Sequence, residues 1–389
     1  MRTAGRHFLQ IPGPSPVPDR ILRAIDMPVI DHRGPGFASL GHRVLTGMQG
    51  IFQTKQPVII YPSSGTGAWE AALVNTLCQG DKLLMVETGH FAFLWQQLAE
   101  KLGLNPSLIE TDWRRGADPD VIEAALRADT SHSIKALCVV HNETSTGCTS
   151  RIADVRRAMD AANHPALLLV DTISGLASAD FRFDEWGVDV AISGSQKGLM
   201  LPPGLSFNAV SEKAIAASQS ANIPNSYWGW SEMIEANKRG YFPYTPSTNL
   251  LFGLAEAIDM LNEEGLENVF ARHLRHSAAT RKAVEAWGLE VQCTVESEHS
   301  PVLTAVRVPD GVDADNLRSV ILAECDTSLG NGLSKVQGQV FRIGHLGDIN
   351  DVTLLGTLAG IEMGLHLAKV AHQSGGVTAA TDYLKSVRL

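Results

Sequence analysis

Short apolar runs alternate with longer amphipathic segments between residues 57 and 210. The runs with a strand-like pattern are residues 58–61, 82–86, 108–110, 136–140, 166–170 and 188–192. Between them, apolar residues recur at the spacing of a helix. This alternation predicts a mostly parallel sheet with helices on both faces, which is an α/β fold.

A continuous helical pattern follows over residues 252–287, long enough to connect two domains. Beyond it, residues 302–308 and 340–343 have strand patterns, and residues 314–325 and 354–367 have helical ones. The chain has 389 residues, more than one hydrophobic core usually supports. We therefore predict a Pro/Gly-rich extended arm at 1–20, a large domain at 21–265 and a smaller C-terminal α+β domain at 266–389.

The composition is that of an ordinary globular protein, with 44% hydrophobic and 19% charged residues. The net charge is -10, and the Lys and Arg residues are scattered along the chain. A nucleic acid or an anionic membrane is therefore not the expected main partner. We expect a small-molecule ligand instead.

The five cysteines are odd in number and widely spaced, and they form neither a CxxC motif nor a Cys/His pattern for a metal. They are Cys78, Cys138, Cys148, Cys293 and Cys325. This pattern favours free thiols in a reducing compartment and no metal site.

The N-terminal residues lack the apolar stretch of a signal peptide, and no run of about eighteen apolar residues occurs. The expected location is the cytoplasm.

The most informative local feature is a lysine just beyond the last predicted strand. Lys197 lies among small and hydroxylic residues in the segment Ser-Gly-Ser-Gln-Lys-Gly, residues 193–198. Most lysines are solvated surface groups, so an ordinary lysine is the commoner explanation. A lysine at a strand exit can instead form a Schiff base if its surroundings lower its pKa.

A carboxylate ends another predicted strand. Asp171 directly follows the apolar run 166–170 and precedes Lys197 by twenty-six positions. Such an aspartate commonly caps the next helix. In an enzyme that uses pyridoxal phosphate (PLP), however, a carboxylate must pair with the protonated pyridine nitrogen of the cofactor. Asp171 is suitably placed for that role.

Three more strand exits carry candidate chemistry. The Ser-Ser-Gly-Thr-Gly segment at 63–67 opens a predicted helix, and could bind a phosphate or only cap the helix. Phe91 could stack on a cofactor ring or be a core residue. Residues 141–144 could contact a ring hydroxyl or form only a turn. Because ligands of open α/β sheets bind at the carboxyl ends of strands, the combination predicts a PLP site.

The chain resembles the serine/alanine–glyoxylate branch of the class V aminotransferases, which are fold type I PLP enzymes. The resemblance extends over nearly the whole chain. The matching segments lie at residues 12–14, 31–33, 64–70, 141–144, 194–204, 241–246, 265–268 and 341–345.

This resemblance implies a role for each candidate residue. Lys197 would carry the cofactor and transfer the substrate proton, and Asp171 would bind the pyridine nitrogen. The other implied cofactor residues are Ser64, Gly65, Thr66 and Gln196 for the phosphate, Phe91 for stacking, and Thr144 beside the ring hydroxyl. Arg342 would bind the substrate carboxylate, because a guanidinium can bind a carboxylate through two hydrogen bonds. Gly13 and Ser174 would also line the substrate site.

The resemblance also implies a homodimer. Thr245, with Tyr244 as a second candidate, would complete the phosphate site of the neighbouring subunit. Gly175 and the segment around Trp228 depart from the family pattern. Both departures leave the amino donor open.

The expected reaction moves the amino group of serine, alanine or aspartate to glyoxylate, giving glycine and an oxo acid. Aspartate would require a second cation, for which Arg33 is a candidate. A lyase or desulfurase of the same class is an alternative, and Cys148 lies nearest a predicted active-site loop. A nucleotide-binding regulatory protein is a third hypothesis, disfavoured because neither GxGxxG nor GxxxxGK[ST] follows the first strand.

Overall fold

The computed structural model describes residues 5–387, so residues 1–4 of the predicted arm and 388–389 of the predicted small domain lie outside the description. Its strands are β1 (Phe8–Gln10), β2 (Val58–Tyr61), β3 (Lys82–Glu87), β4 (Asn105–Glu110), β5 (Ile134–Val140), β6 (Asn142–Glu143), β7 (Cys148–Thr149), β8 (Leu167–Asp171), β9 (Val190–Gly194), β10 (Ser206–Val210), β11 (Glu290–Val291), β12 (Leu303–Arg307), β13 (Thr327–Asn331) and β14 (Val340–Gly344). Its α-helices are α1 (Asp19–Ile25), α2 (Pro35–Phe52), α3 (Gly65–Thr76), α4 (His90–Lys101), α5 (Pro119–Ala128), α6 (Ile152–Ala161), α7 (Glu212–Ser218), α8 (Trp230–Asn237), α9 (Thr248–Glu264), α10 (Leu266–Ala286), α11 (Ala314–Cys325), α12 (Asp351–Leu367) and α13 (Gly376–Ser386).

Seven strands form the larger sheet, in the order β2-β10-β9-β8-β5-β3-β4. Its neighbours run parallel except for β10, which is antiparallel to both β2 and β9. The predicted mostly parallel α/β sheet is confirmed. The carboxyl ends of β3, β5, β8 and β9 therefore meet at one edge, where open sheets of this kind bind their ligands.

Helices cover both faces of this sheet, as predicted. Successive side chains of a strand point to opposite faces, so Ile59 and Ile60 of β2 enter different cores. Ile60 packs in the core that contains side chains of α2, α5, α6 and α9. Ile59 packs in the core with side chains of α3, α4, α7 and α8. The long buried strands thus lie between two helical layers.

Five strands form the smaller sheet, in the order β1-β13-β14-β12-β11, with only β1 and β13 parallel. Side chains of α10 to α13 form one core with Phe341 and Ile343 of β14. Arg342 lies between these two residues, so it points to the opposite face and reaches Thr144 of the larger unit. The register of β14 therefore directs Arg342 toward the strand ends of the larger sheet.

The sequence pattern does not predict β10, β13 or α13. Strand β10 reads Ser-Phe-Asn-Ala-Val and is buried along its whole length. Because a buried strand usually shows a continuous apolar run, the polar residues of β10 prevent its recognition from the sequence pattern. Asn208 is accommodated because its amide donates to the carbonyl of Ala68 at 3.1 Å. Polar burial of this kind depends on a partner that is remote in sequence.

The N-terminal segment connects the two sheets. Residues 8–10, predicted as part of an extended arm, form β1 and pair with β13, with Phe8 opposite Thr327. Farther along, the Ser15 N–H donates to the carbonyl of Gln196 at 2.9 Å. The chain between β1 and Ser15 therefore crosses the strand-end edge of the larger sheet. Within residues 5–387, no helix combines the length and the apolar character required to cross a membrane.

Candidate active site

A cavity lies at the strand-end edge of the larger sheet. Its volume is about 110 Å³. The lining residues predicted from the sequence are Ser64, Gly65, Thr66, Phe91, Thr144, Asp171, Gln196 and Lys197. The other lining residues are Asn142, which belongs to the candidate segment 141–144, and Trp69, Val140 and Ile173, to which sequence reasoning assigned no role. The fold thus brings together candidates separated by more than a hundred positions in sequence.

Lys197 follows β9 and its amine lies inside the cavity. Its Nζ donates a hydrogen bond of 2.7 Å to the carbonyl of Pro12. Burial, and to a smaller extent the nearby Arg342 guanidinium, lower the pKa of this amine to about 8, although Asp171 opposes the shift. A substantial neutral fraction is thus present near neutral pH, as a nucleophilic lysine requires.

Asp171 is the last residue of β8 and is 4% exposed. Its Oδ1 accepts from the Ile173 N–H at 2.7 Å, and its Oδ2 accepts from the Trp69 indole N–H at 2.9 Å. Burial raises the pKa of the carboxyl to about 7 in spite of these two donors. A positively charged partner inside the cavity would oppose this shift and stabilise the carboxylate.

The loop before α3 has the features of an anion-binding site. Ser64 is the N-cap of α3, and Gly65 and Thr66 begin the helix, where backbone N–H groups have no preceding turn to donate to. A β-carbon at Gly65 would lie 2.4 Å from Cδ1 of Ile173, so a larger residue would fit there only if the Ile173 side chain moved. Gln196 lines the same cavity, and the NH2 group of its side-chain amide can donate to a phosphate oxygen. These features fit a bound phosphate group.

Phe91 lies at the start of α4, where a buried carboxylate holds the backbone. The Phe91 and Ala92 N–H groups each donate to Glu143 at 3.3 Å. Glu143 is 0% exposed and also accepts from the Ser145 hydroxyl at 2.6 Å. The sequence reasoning gave no role to Glu143. It belongs to the segment 141–144, which the sequence assigns either to contacts with a ring hydroxyl or to a turn, and a carboxylate directly after a strand was the available signal.

Arg342 reaches the same region from the smaller sheet. Its Nη1 donates to the Thr144 carbonyl at 2.8 Å, and its Nε donates to the Asn331 carbonyl at 2.7 Å. The residue is 6% exposed, and burial lowers the pKa of the guanidinium to about 10. Two carbonyls thus orient the guanidinium and leave Nη2 available to an anion.

Neither Gly13 nor Ser174 lines the cavity, but each contacts a residue that does. A β-carbon at Gly13 would lie 2.2 Å from Nζ of Lys197. Ser174 is 2% exposed; its hydroxyl donates to the Asn142 carbonyl and accepts from the Asn142 side-chain amide, each at 2.8 Å. Ser174 therefore holds Asn142, which lines the cavity, and does not line it itself.

Tyr244, Thr245 and Arg33 do not line this cavity within the single chain. Tyr244 stacks on Tyr227 with ring centroids 4.4 Å apart, and Thr245 is exposed. Arg33 lines a separate, open groove of about 680 Å³ together with Glu232 and others. A contribution of these residues to the cavity would have to come from a second copy of the chain.

The two departures from the family pattern have a clear structural setting. A β-carbon at Gly175 would lie 2.9 Å from Nδ1 of His141, so the glycine makes room for this imidazole. The Trp228 ring packs on the start of α3, as shown by the 2.7 Å that would separate it from a β-carbon at Gly67. Its indole N–H donates to Glu70 at 3.0 Å. Neither departure removes a residue that lines the cavity.

The chain matches the family model for aminotransferase class-V over residues 10–333. A serine–glyoxylate aminotransferase from Methylorubrum extorquens is 48% identical over 99% of this chain and 97% of the relative. An L-aspartate–glyoxylate aminotransferase from Paracoccus denitrificans is 45% identical over 96% of this chain and 95% of the relative. The crystal structure of ureidoglycine–glyoxylate aminotransferase from Bacillus subtilis has a TM-score of 0.90 at 27% identity, and 99% of each chain is covered.

The family match and the full-length similarity to named aminotransferases agree with the lysine, the aspartate and the anion cradle of the cavity. The chain belongs to the class V aminotransferase family and is a pyridoxal phosphate-dependent aminotransferase.

Proposed function

We propose that this aminotransferase moves the amino group of a small amino acid to glyoxylate, forming glycine and an oxo acid. Three relatives at 45% identity or more have glyoxylate in their names. The main support for the proposal is that the Lys197 amine and the Asp171 carboxylate lie in one cavity. Arg342 donates a hydrogen bond to Thr144, which lines the same cavity.

The cofactor supplies a ring that withdraws electrons from the substrate Cα. Asp171 binds the ring nitrogen and keeps it protonated. Lys197 holds the cofactor and, once free, moves the proton of the substrate Cα as a general base and acid. The remaining cofactor contacts fall to Ser64, Gly65, Thr66 and Gln196 at the phosphate, Phe91 over the ring and Thr144 beside its hydroxyl.

Arg342 binds the α-carboxylate of the amino acid. Its guanidinium is already fixed by the carbonyls of Thr144 and Asn331, so little side-chain entropy is lost on binding. Gly13 and Ser174 complete the substrate side, the first by leaving space beside the amine and the second by holding Asn142.

We also propose a homodimer in which Thr245 and Tyr244 complete the phosphate site of the partner subunit. Among the described residues that line the cavity, Lys197 is the only cation, although a bound phosphate carries close to two negative charges. Further donors from a second copy would satisfy the phosphate. Exposed Thr245 is free to make such a contact.

The domain limits 21–265 and 266–389 and a cytoplasmic location remain proposals. Separate cores for the larger sheet and for α10 to α13 support the division into domains.

The five cysteines are free thiols, which suits a reducing compartment. A small amino acid and a 2-oxo acid are the expected partners, and neither nucleic acid nor membrane is.

A lyase or desulfurase reaction of the same class is the alternative. A desulfurase uses a cysteine near the substrate. None of the five cysteines lines the cavity, and Cys148 is buried at 1% exposure. This placement favours transamination. Transamination with an acceptor other than glyoxylate stays a second alternative.

The test is a panel of serine, alanine and aspartate, each incubated with glyoxylate while glycine is measured. Glycine formation with at least one donor is the expected result, and Lys197→Ala serves as the inactive control. Absence of glycine with every donor would overturn the proposal. Pyruvate release from serine, or sulfide release from added cysteine, when no oxo-acid acceptor is supplied would instead indicate lyase or desulfurase chemistry.

A further inference from the structure

Trp69 is joined directly to the carboxylate proposed to bind the cofactor ring. Its indole N–H donates to Oδ2 of Asp171 at 2.9 Å, and both residues are almost fully buried, at 2% and 4% exposure. The contact links position 69 on α3 with the end of β8. The other carboxylate oxygen accepts from the Ile173 N–H at 2.7 Å.

A buried carboxylate with few partners tends to become protonated, and burial indeed raises the pKa of Asp171. Each N–H donor opposes this tendency, because it stabilises the charged form more than the neutral one. The backbone donor at Ile173 cannot be removed by changing a side chain. Among the described residues, the indole of Trp69 is the side-chain group that donates a hydrogen bond to Asp171, and it opposes the nearby charge of Glu143, which raises the pKa of Asp171.

We propose that Trp69 is a positioning residue that holds Asp171 ionised and aims its carboxylate at the cofactor ring nitrogen. This inference rests on the proposed role of Asp171. If Trp69 is lost, the proton shared by the ring nitrogen and the carboxylate moves toward the carboxylate. The ring then withdraws electrons less strongly from the substrate, although no residue that touches the substrate has changed.

The fold offers a matched control in Trp95. Its ring stacks on that of Trp69, with centroids 5.8 Å apart and planes 12° apart. Trp95 is also buried, at 0% exposure, but its indole nitrogen has no hydrogen-bond partner among the described residues. Replacing either tryptophan by phenylalanine removes similar packing, whereas only Trp69→Phe removes a hydrogen bond to Asp171.

The experiment compares holoenzymes with Trp69→Phe, Trp95→Phe and Asp171→Asn after loading with PLP labelled with ¹⁵N in the ring. The ¹⁵N chemical shift reports protonation of the ring nitrogen, and the PLP concentration at half-saturation reports affinity. In Trp69→Phe we expect a shift toward the unprotonated nitrogen and an affinity weaker by about ten-fold or more, as for a lost hydrogen bond to a charged group. In Trp95→Phe we expect the ¹⁵N shift of the wild type.

Equal ¹⁵N shifts in Trp69→Phe and Trp95→Phe, with a changed shift in Asp171→Asn, would overturn the role of Trp69 alone. An unchanged shift in Asp171→Asn would overturn the proposed role of Asp171 itself. If Trp69→Phe does not fold, replacement of Trp69 by benzothienylalanine keeps the ring shape and removes the N–H. An altered ¹⁵N shift in that variant supports the proposal, and an unaltered one contradicts it.

Discussion

Gly13 lies directly against Lys197, so that a β-carbon at position 13 would be 2.2 Å from Nζ and 2.4 Å from Cδ. Gly13 also has a φ of +113°, in the region that side chains disfavour. The same segment supplies the Pro12 carbonyl that accepts from Nζ at 2.7 Å. The N-terminal segment thus both holds the amine and leaves it space.

The first prediction concerns Gly13→Ala. The added methyl group must displace the lysine, so we expect aminotransferase activity to fall by about 100-fold or more, since misplacement by about 1 Å can have that effect. Gly375→Ala is the control, because Gly375 has a φ of +112° and no atom within 4 Å of an added β-carbon. It should lose stability in thermal unfolding but keep its kcat. Equal activity in the two variants would contradict the explanation.

The second prediction concerns the pH dependence of cofactor attachment. Only the neutral amine reacts, and the pKa of Lys197 is lowered to about 8, so attachment of PLP to the cofactor-free chain should accelerate with pH, with a midpoint near pH 8 and a plateau above it. Arg342→Met removes a positive charge that lowers this pKa, and should move the midpoint to higher pH. Stopped-flow absorbance measures the rate. Arg318→Met should leave the midpoint unchanged, and a midpoint near 10 in the wild type would refute the lowered pKa.

Many residues that line the cavity could be predicted, because they directly follow strands that are recognisable from the local sequence. A lysine or a carboxylate directly after an apolar strand is visible in sequence, and parallel strands end at one edge. Lys197 and Asp171 therefore could be placed together before their contacts were known. Arg342 required the family resemblance, because an arginine on a strand has no local mark that separates it from a surface ion pair.

The contacts between remote segments could not be predicted in this way. Trp69 is an apolar helix residue by pattern, and its hydrogen bond depends on how α3 packs against β8. Glu143 caps a helix that begins more than fifty positions earlier. Strand β10 is polar at alternate positions, and its burial depends on partners such as the Ala68 carbonyl. Each of these three features depends on tertiary packing and not on local propensity.

The third prediction concerns Arg342→Lys. A lysine cannot both keep the carbonyl contacts with Thr144 and Asn331 and bind a carboxylate through two hydrogen bonds. We expect kcat/KM for the amino donor to fall by about 100-fold, or about 3 kcal/mol, with the cofactor absorbance retained. The matched variant is Arg318→Lys, whose guanidinium contacts Leu329 and stays outside the cavity. A loss below about three-fold in Arg342→Lys would argue against carboxylate binding there.

The fourth prediction tests the shared active site. A Thr245→Glu chain places a negative charge where we propose contact with the partner's phosphate, and should be inactive, like Lys197→Ala. After unfolding and refolding of the two as a mixture, half of the dimers are mixed, and one of their two sites is free of both changes. About one quarter of wild-type activity should return. A mixture of Lys197→Ala and Asp171→Asn should recover none, because both residues belong to the same site of one chain.

The last prediction follows from the raised pKa of Asp171. In the cofactor-free protein its pKa is about 7, compared with an ordinary value of 3.8, so the folded state binds a proton that the unfolded state releases. The stabilisation this provides is complete below about pH 4 and disappears as the pH rises to about 7, a change of about 4 kcal/mol at most. Asp171→Asn cannot titrate and should lack this decline. Urea unfolding of both proteins between pH 4 and 8 gives the difference in free energy, in which histidines common to both cancel. With rising pH, the variant should become progressively more stable than the wild type, and a constant difference would refute the raised pKa.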